Sequence, residues 1–243
     1  MTTKQQVLPH ATLVNRKQIT DDLISIKLKP DQSMAFKPGQ YCTLGLDGIE
    51  RAYSIVSGPH EAELEIFVEL VPLPMGVLTP KIWEMKEGDR ISIRPRCKGI
   101  FTLDRKAHSH LMVSTVTGIA PFISMLRTYI HEGNTGDCFF LIQGASYADE
   151  FAYDEEINQM ILDSDVNITY VTTVSRPGDQ RNTEWIGEVG RANTIVEKYI
   201  EQFGLSSDTC LVYTCGHPGM IEDVKQKLGP RGFKVKEERY WKD

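Results

Sequence analysis

The stretch Leu111-Met112-Val113-Ser114-Thr115-Val116-Thr117-Gly118-Ile119-Ala120-Pro121 decides the fold. Its first five residues form an apolar run of strand length. From Pro121 to Tyr129 a helical pattern follows, with Phe122, Met125 and Leu126 in register. Gly118 and Ala120 are small enough to admit a ligand near the backbone, and a helix N-terminus can face an anion. The turn is not GxGxxG, so the usual dinucleotide fingerprint is absent. Outward from this unit, strand-like runs recur at Cys138–Gln143, Ile168–Val174, Thr209–Thr214 and Phe233–Arg239. Helical patterns stand between most of them, at Asp154–Leu162, Arg191–Phe203 and Pro218–Leu228. Such alternation predicts a mostly parallel sheet with helices on both faces and ligands at the carboxyl ends of the strands. Thr214-Cys215-Gly216-His217-Pro218-Gly219-Met220 repeats the design: Cys215 stands where a strand gives out, and Gly216 leaves room for a flat ring. Either turn alone is equally an ordinary strand-to-helix connection. Two in one sheet favour a ligand site.

Before the polar stretch Asp104–His110, which reads as a linker, the texture is different. Leu23–Leu28, Tyr41–Leu46, Arg51–Ser54, Glu63–Val71 and Ile91–Arg94 are short strand patterns punctuated by Gly and Pro. This predicts an antiparallel barrel or sandwich. Gly45 and Gly48 read as strand-end and turn residues. Strand alternation puts Arg51 and Tyr53 on one face and Ser54 on the other. A guanidinium can fork onto a phosphate, a tyrosine ring can flank an aromatic cofactor, and a serine hydroxyl can donate to or accept from a ring nitrogen. In the run from Glu63, Leu64, Ile66, Val68 and Leu70 share a face, which leaves Phe67 on the polar side beside Glu65 and Glu69. Phe67 is either packed beside a neighbouring strand or a platform for a cofactor's ring. Gly76-Val77-Leu78-Thr79-Pro80 opens a short helix, with Thr79 as N-cap and Pro80 as its first residue. That start could hold a pyrophosphate, although capping alone explains the same residues.

Composition sets the bounds. The 243 residues allow two modest domains, and 27 basic against 33 acidic residues give a net charge of -6, which argues against nucleic acid as the main partner. Five cysteines contain no CxxC and no metal or iron–sulfur spacing, so no metal is expected and a reducing compartment fits. No signal-peptide pattern and no membrane-length apolar run occur. A cytoplasmic, monomeric protein without membrane attachment is the expectation.

Taken in order, the RxYS strand at Arg51, the GxLT helix start at Gly76, the TGIAP turn at Thr117, the CGxPGM turn at Cys215 and an aromatic terminus resemble the ferredoxin–NADP reductase family, of the bacterial ferredoxin/flavodoxin type. The resemblance covers essentially the whole chain. It implies an all-β antiparallel barrel binding FAD over residues 1–104, followed by an α/β parallel-sheet NADP domain over 105–243. It also implies FAD contacts at Arg51 (pyrophosphate), Ala52, Tyr53 (lining the isoalloxazine) and Ser54 (facing flavin N5). Phe67, Val68, Glu69, Leu70, Gly76, Val77, Leu78 and Thr79 would hold the rest of the FAD, with Thr117 reaching it from the second domain. Tyr240 would cover the flavin and move aside for nicotinamide; Trp241 would fold against the adenine. The chain's continuation through Lys242-Asp243 leaves open which of the two rings covers the isoalloxazine.

Cys215 and Gly216 would sit against the nicotinamide, with Gly118 nearby and Glu238 as the terminal-region acid that tunes or relays a proton. For the rest of NADP(H), a 2'-phosphate calls for Arg beyond the later strands, which points to Arg176, Arg181 and Arg191. Ser146 stands where many bacterial relatives carry an Arg. The implied catalytic set is Ser54, Cys215, Glu238 and Tyr240. The implied activity passes electrons between NADP(H) and ferredoxin or flavodoxin. Two other readings stay open: a reductase serving a separate oxygenase, and a flavin module that senses redox state without turnover.

Overall fold

A computed structural model describes residues 8–239, which form two compact units divided between Thr102 and Leu103. The first unit contains β1 (His10–Gln18), β2 (Leu23–Pro30), β3 (Tyr41–Leu46), β4 (Ile49–Ser54), β5 (Leu64–Glu69), α1 (Thr79–Glu84) and β6 (Arg90–Ile93). All its pairings are antiparallel, in the order β4-β3-β6-β1-β2-β5. A bridge between Ile55 and Ile66 joins the two ends of that order, so the sheet closes into a barrel rather than a sandwich. Alternation fills the interior with Leu13, Ile26, Leu44, Ile66 and Ile91, all fully buried. The β3–β4 hairpin turns on Asp47 and Gly48, whose φ of 51° and 78° make the two-residue turn that matches strand twist.

Three expectations in this unit change. The strand at Arg51 begins two residues earlier, at Ile49, because the tight turn sets its register against Leu46. The strand expected to run to Val71 ends at Glu69, which leaves Leu70 outside it. Thr79 is not the N-cap of α1; Leu78 is. The Thr79 hydroxyl is spent elsewhere, accepting from Val71 N and donating to Val71 O, both at 3.0 Å.

The second unit contains β7 (Ser109–Thr115), α2 (Ala120–His131), β8 (Cys138–Ala145), α3 (Asp154–Asp163), β9 (Asn167–Val174), β10 (Glu188–Val189), α4 (Ala192–Gln202), β11 (Cys210–Gly216), α5 (Pro218–Leu228) and β12 (Val235–Arg239). Its six parallel strands run in the order β10-β9-β8-β7-β11-β12. Leu111, Val113 and Val212 face α4 and α5. On the other face Tyr129 of α2 meets Phe139 of β8 edge-on at 4.9 Å, and Arg127 of α2 forks onto Glu156 of α3 at 2.6 and 2.8 Å. Helices therefore cover both faces. The last strand begins at Val235 instead of Phe233, whose ring is buried in the core beneath α4 and α5. Among the described residues no helix is long and apolar enough to cross a membrane.

The strand order reverses direction between β7 and β11, which makes their carboxyl ends the topological switch point. Both glycine turns lie there, and they interlock. A Cβ on Gly118 would stand 2.2 Å from the carbonyl oxygen of Cys215, and one on Gly216 (φ 124°) would stand 2.2 Å from Thr115 Oγ1. The same hydroxyl accepts from His217 N at 2.9 Å. Val116, next to this contact, holds φ at 39°, a left-handed conformation that costs a β-branched residue about 1–3 kcal/mol. The smallness of both glycines serves backbone packing between turns.

The stretch read as a linker ends inside the sheet, since Ser109 and His110 belong to β7. His110 is fully buried, stacked on Phe139 at 5.0 Å and tilted to Tyr213 at 5.8 Å. Neither ring nitrogen has a hydrogen-bond partner, and Asp137 Oδ2 is 3.7 Å away. Burial pulls its pKa from 6.5 to about 4, against the opposing pull of Asp137.

Two predictions follow from these packing facts. Below pH 6.5 the unfolded chain protonates His110 while the folded chain does not, so stability falls as pH drops from 6.5 to about 4. The loss from this residue is about 3 kcal/mol. Denaturant titrations across that range will give a shallower pH slope for His110→Phe. Gly118→Ala, with its methyl driven into a backbone oxygen, will lower the thermal midpoint by roughly 5–10 °C. Gly178→Ala, whose Cβ position is open, will leave it unchanged.

Candidate functional site

In the barrel, the candidate residues lie on β4, on β5 and in the loop into α1. Arg51 and Tyr53 are opposite Leu44 and Cys42 in the β3–β4 register, so they share a face, as strand alternation requires. Tyr53 packs partly buried against the core, and that burial pushes its phenol pKa upward and keeps the hydroxyl neutral. Arg51 is exposed and donates to Glu50 O at 2.7 Å. Among the described residues no carboxylate reaches its guanidinium. Arg94 differs: it forks onto Glu50 at 2.7 and 2.6 Å, and Arg90 is paired with Asp31. Arg51 thus keeps its charge for an outside anion. Ala52 is exposed beside it, and Ser54 ends the strand, buried.

On β5, Val68 is in the core cluster and offers a ligand only its backbone; Leu78 is the same. Phe67 is 4 % exposed but outside that cluster, on the face it shares with Glu65 and the exposed Glu69. Glu65, also buried, accepts from Ser25 Oγ at 3.0 Å. Leu70 N donates to Asp22 O. The loop into α1 is stitched by the Thr79 hydroxyl and by Gly76 N, which donates to Pro72 O at 3.0 Å. A Cβ on Gly76 would lie 1.8 Å from Val71 O, so only glycine lets the chain pass there. This loop exposes Val77 at the start of a helix. An uncommitted guanidinium, a neutral phenol and a glycine-dependent loop fit a cofactor that carries both phosphate and a flat ring.

In the parallel-sheet unit, the candidates gather at the carboxyl ends of the strands. Thr117 and Gly118 follow β7, Ser146 follows β8, Arg176 follows β9, and Cys215 and Gly216 end β11. Cys215 pairs in register with Glu238 of β12, so residues distant in sequence stand side by side. Glu237, the neighbour of Glu238, faces α5 and pairs with Lys225 at 2.7 Å. Parity therefore turns Glu238 and Cys215 to the opposite face.

A second group forms beyond β8 and β9. Arg176 donates to the Tyr147 hydroxyl at 2.5 Å, and Arg181 lies 3.8 Å above the Tyr147 ring. Arg181 also forks onto Asp149 at 3.0 and 2.5 Å, which raises its pKa and partly offsets its charge. Ser146 N donates to Glu150 at 2.8 Å, while Asn182 bonds Ser146 O and Arg176 O at 3.0 and 2.8 Å. The structure thus brings Ser146, Arg176 and Arg181 together around Tyr147. Arg191 is the N-cap of α4, and its neighbour Gly190 donates through N to Val174 O, at the end of β9, at 2.9 Å. Tyr147, Glu150 and Asn182 carried no periodic signal, being loop residues; the polar sequence after Ala145 was the one hint. Two cations over one ring fit an aromatic, phosphorylated ligand. Tyr240 and Trp241 lie outside the described residues.

Both units are similar to known proteins. Residues 10–100 match a family described as oxidoreductase FAD-binding domain, and residues 112–226 one described as oxidoreductase NAD-binding domain. The chain is 31% identical over 219 residues to the flavodoxin/ferredoxin–NADP reductase of Escherichia coli, covering 85% of this chain and 84% of that one. It is 30% identical over 236 residues to the ferredoxin–NADP reductase of Azotobacter vinelandii, covering 88% and 86%. A ferredoxin NADP+ reductase from Neisseria gonorrhoeae, solved with FAD and NADP, shares the fold at a TM-score of 0.82 and 24% identity, over 96% of this chain and 98% of that one. The ferredoxin reductase of a carbazole 1,9a-dioxygenase shares it at 0.79 and 22%, over 96% and 69%. Sequence identity over most of the length of both chains thus joins the fold and the gathered residues in one conclusion: this chain belongs to the ferredoxin/flavodoxin–NADP reductase family.

Proposed function

We propose that this protein is an FAD-dependent oxidoreductase that exchanges electrons between NADP(H) and a one-electron carrier, ferredoxin or flavodoxin. The observation that carries the reading is the register pairing of Cys215 with Glu238 beside the switch point, a thiol and an acid at a ligand-binding strand end. Bound FAD would supply the conversion between two-electron hydride transfer and one-electron transfer. In the barrel domain, Arg51 would hold the pyrophosphate, Tyr53 would line the ring, and the Ser54 hydroxyl, able both to donate and to accept, would face N5. Phe67 through Leu70 and Gly76 through Thr79 hold the remainder, largely by backbone.

In the sheet domain, Cys215 and Gly216 flank the nicotinamide, with Thr117 and Gly118 beside them. Glu238 holds or relays a proton. Arg176 and Arg181, with Ser146 at their side, would bind the 2'-phosphate, with Tyr147 stacked on the adenine between them and Arg191 nearby, at the start of α4 beside the end of β9.

Stopped-flow reduction of the holoprotein with NADPH and with NADH, followed by mixing with ferredoxin or flavodoxin, tests the reading. Fast bleaching by NADPH and reoxidation by either carrier is the expected result. Bleaching with no onward transfer to any carrier would turn the assignment to a redox sensor. Transfer only to an oxygenase component would assign an oxygenase reductase. In the same assay, Arg176→Ala with Arg181→Ala will raise KM for NADPH by roughly 10–100-fold and leave NADH nearly unaffected. Arg51→Ala will weaken FAD binding by roughly 10–100-fold, read from flavin fluorescence on titration, with Arg51→Lys intermediate.

A further inference from the structure

Two cysteines that are 55 positions apart meet on the barrel wall. Tyr41 and Lys98 exchange backbone hydrogen bonds, N to O in each direction, at 2.9 Å. The next contact along β3 is Arg94 N donating to Thr43 O at 2.9 Å. Between these ties β3 supplies Cys42 alone, while the facing segment bulges through Pro95, Arg96 and Cys97. Cys97 therefore stands opposite Cys42, next to a hydrogen-bonded pair. In a regular ladder residues beside such a pair face each other about 4.5 Å apart, Cα to Cα, inside the roughly 4.4–6.8 Å that a disulfide spans, and the Cys97 thiol is near enough to act on the Cys42 thiol. Both side chains point to the same core: Cys42 is fully buried in it and Cys97 packs half-buried against it.

We propose that Cys42 and Cys97 are a redox pair, which a hydroperoxide joins in a cross-strand disulfide and which small thiols reopen. The Cys97 sulfur, the more accessible one, attacks the peroxide; the O–O bond breaks, an alcohol or water leaves, and Cys97 becomes a sulfenic acid. The Cys42 sulfur then displaces the sulfenic hydroxyl, which leaves as water with the Cys42 proton. The thiols lose two electrons in total, and one hydroperoxide is reduced. Burial holds the Cys97 thiol at a pKa of about 11 and that of Cys42 higher still, so the pair outlasts brief exposure and closes under sustained oxidant. The closed loop encloses Arg51 through Thr79, and on the reading given above this is the whole barrel-domain part of the FAD site. Oxidation then braces that segment.

The test is prolonged treatment of the holoprotein with hydrogen peroxide, trapping of remaining thiols in denaturant, and peptide mass mapping without reductant. A linked Cys42–Cys97 peptide pair, lighter by two hydrogens and released by dithiothreitol, is the expected result. It will come with a raised thermal midpoint, and both will be absent in Cys97→Ser. Recovery of both residues as trapped thiols, oxidation of Cys97 to sulfinic acid with Cys42 still reduced, or a link through Cys138 would overturn the proposal. FAD retention is measured separately: a mapped disulfide that leaves FAD release unchanged supports the pair and counts against the flavin-site assignment.

Discussion

In the sheet domain the turn after β7 lies tightly against the end of β11, with a glycine on each side of the contact. Gly118 faces the carbonyl of Cys215, and Gly216 faces the hydroxyl of Thr115. Once the turns are seated, the chain after β7 has little freedom, and Val116 takes a φ that a β-branched residue seldom adopts. Cys215 is then fixed at the strand end, level with Glu238. The position of the thiol beside the acid is a consequence of that packing.

The barrel solves a different problem, which is to keep a charge available on β4. Two of its arginines are matched by acids, Arg94 by Glu50 and Arg90 by Asp31. Arg51 is on the same strand as Glu50, but it points to the other face and so cannot compete for that carboxylate. A phosphate that approaches this edge meets a guanidinium with open donors. Nearby, the Thr79 hydroxyl and the missing side chain of Gly76 hold the loop into α1 close to Val71.

At the far strand ends the balance is between a ligand and an internal acid. Asp149 already engages Arg181, and a bound phosphate has to share or displace that pairing, whereas Arg176 is tied only to a neutral phenol. On the proposed function, discrimination between a phosphorylated and an unphosphorylated ribose falls mainly to Arg176. Asn182 and Glu150, both buried, keep the loops in place while those charges adjust.

Strand and helix periods read from the sequence located most elements to within two residues, because alternation and amphipathic spacing are local properties, but assigned no strand at β1 or at the two-residue β10. They missed what depends on partners. His110 was read as part of a polar linker, yet it is a core residue of β7, since Phe139 and Tyr213 come to it from strands elsewhere in the chain. Thr79 had the residue type of an N-cap, but its hydroxyl was claimed by Val71 across the loop. Gly118 and Gly216 were read as space for a ligand; the direction a side chain would take at each is filled by the other's turn, which no local pattern shows. The sequence alone determined the two-domain order, the turn chemistry and the residue types of the site. Only the tertiary structure decided which of those residues are neighbours and which charges are already matched, because both depend on strand order and register, and no local pattern encodes them.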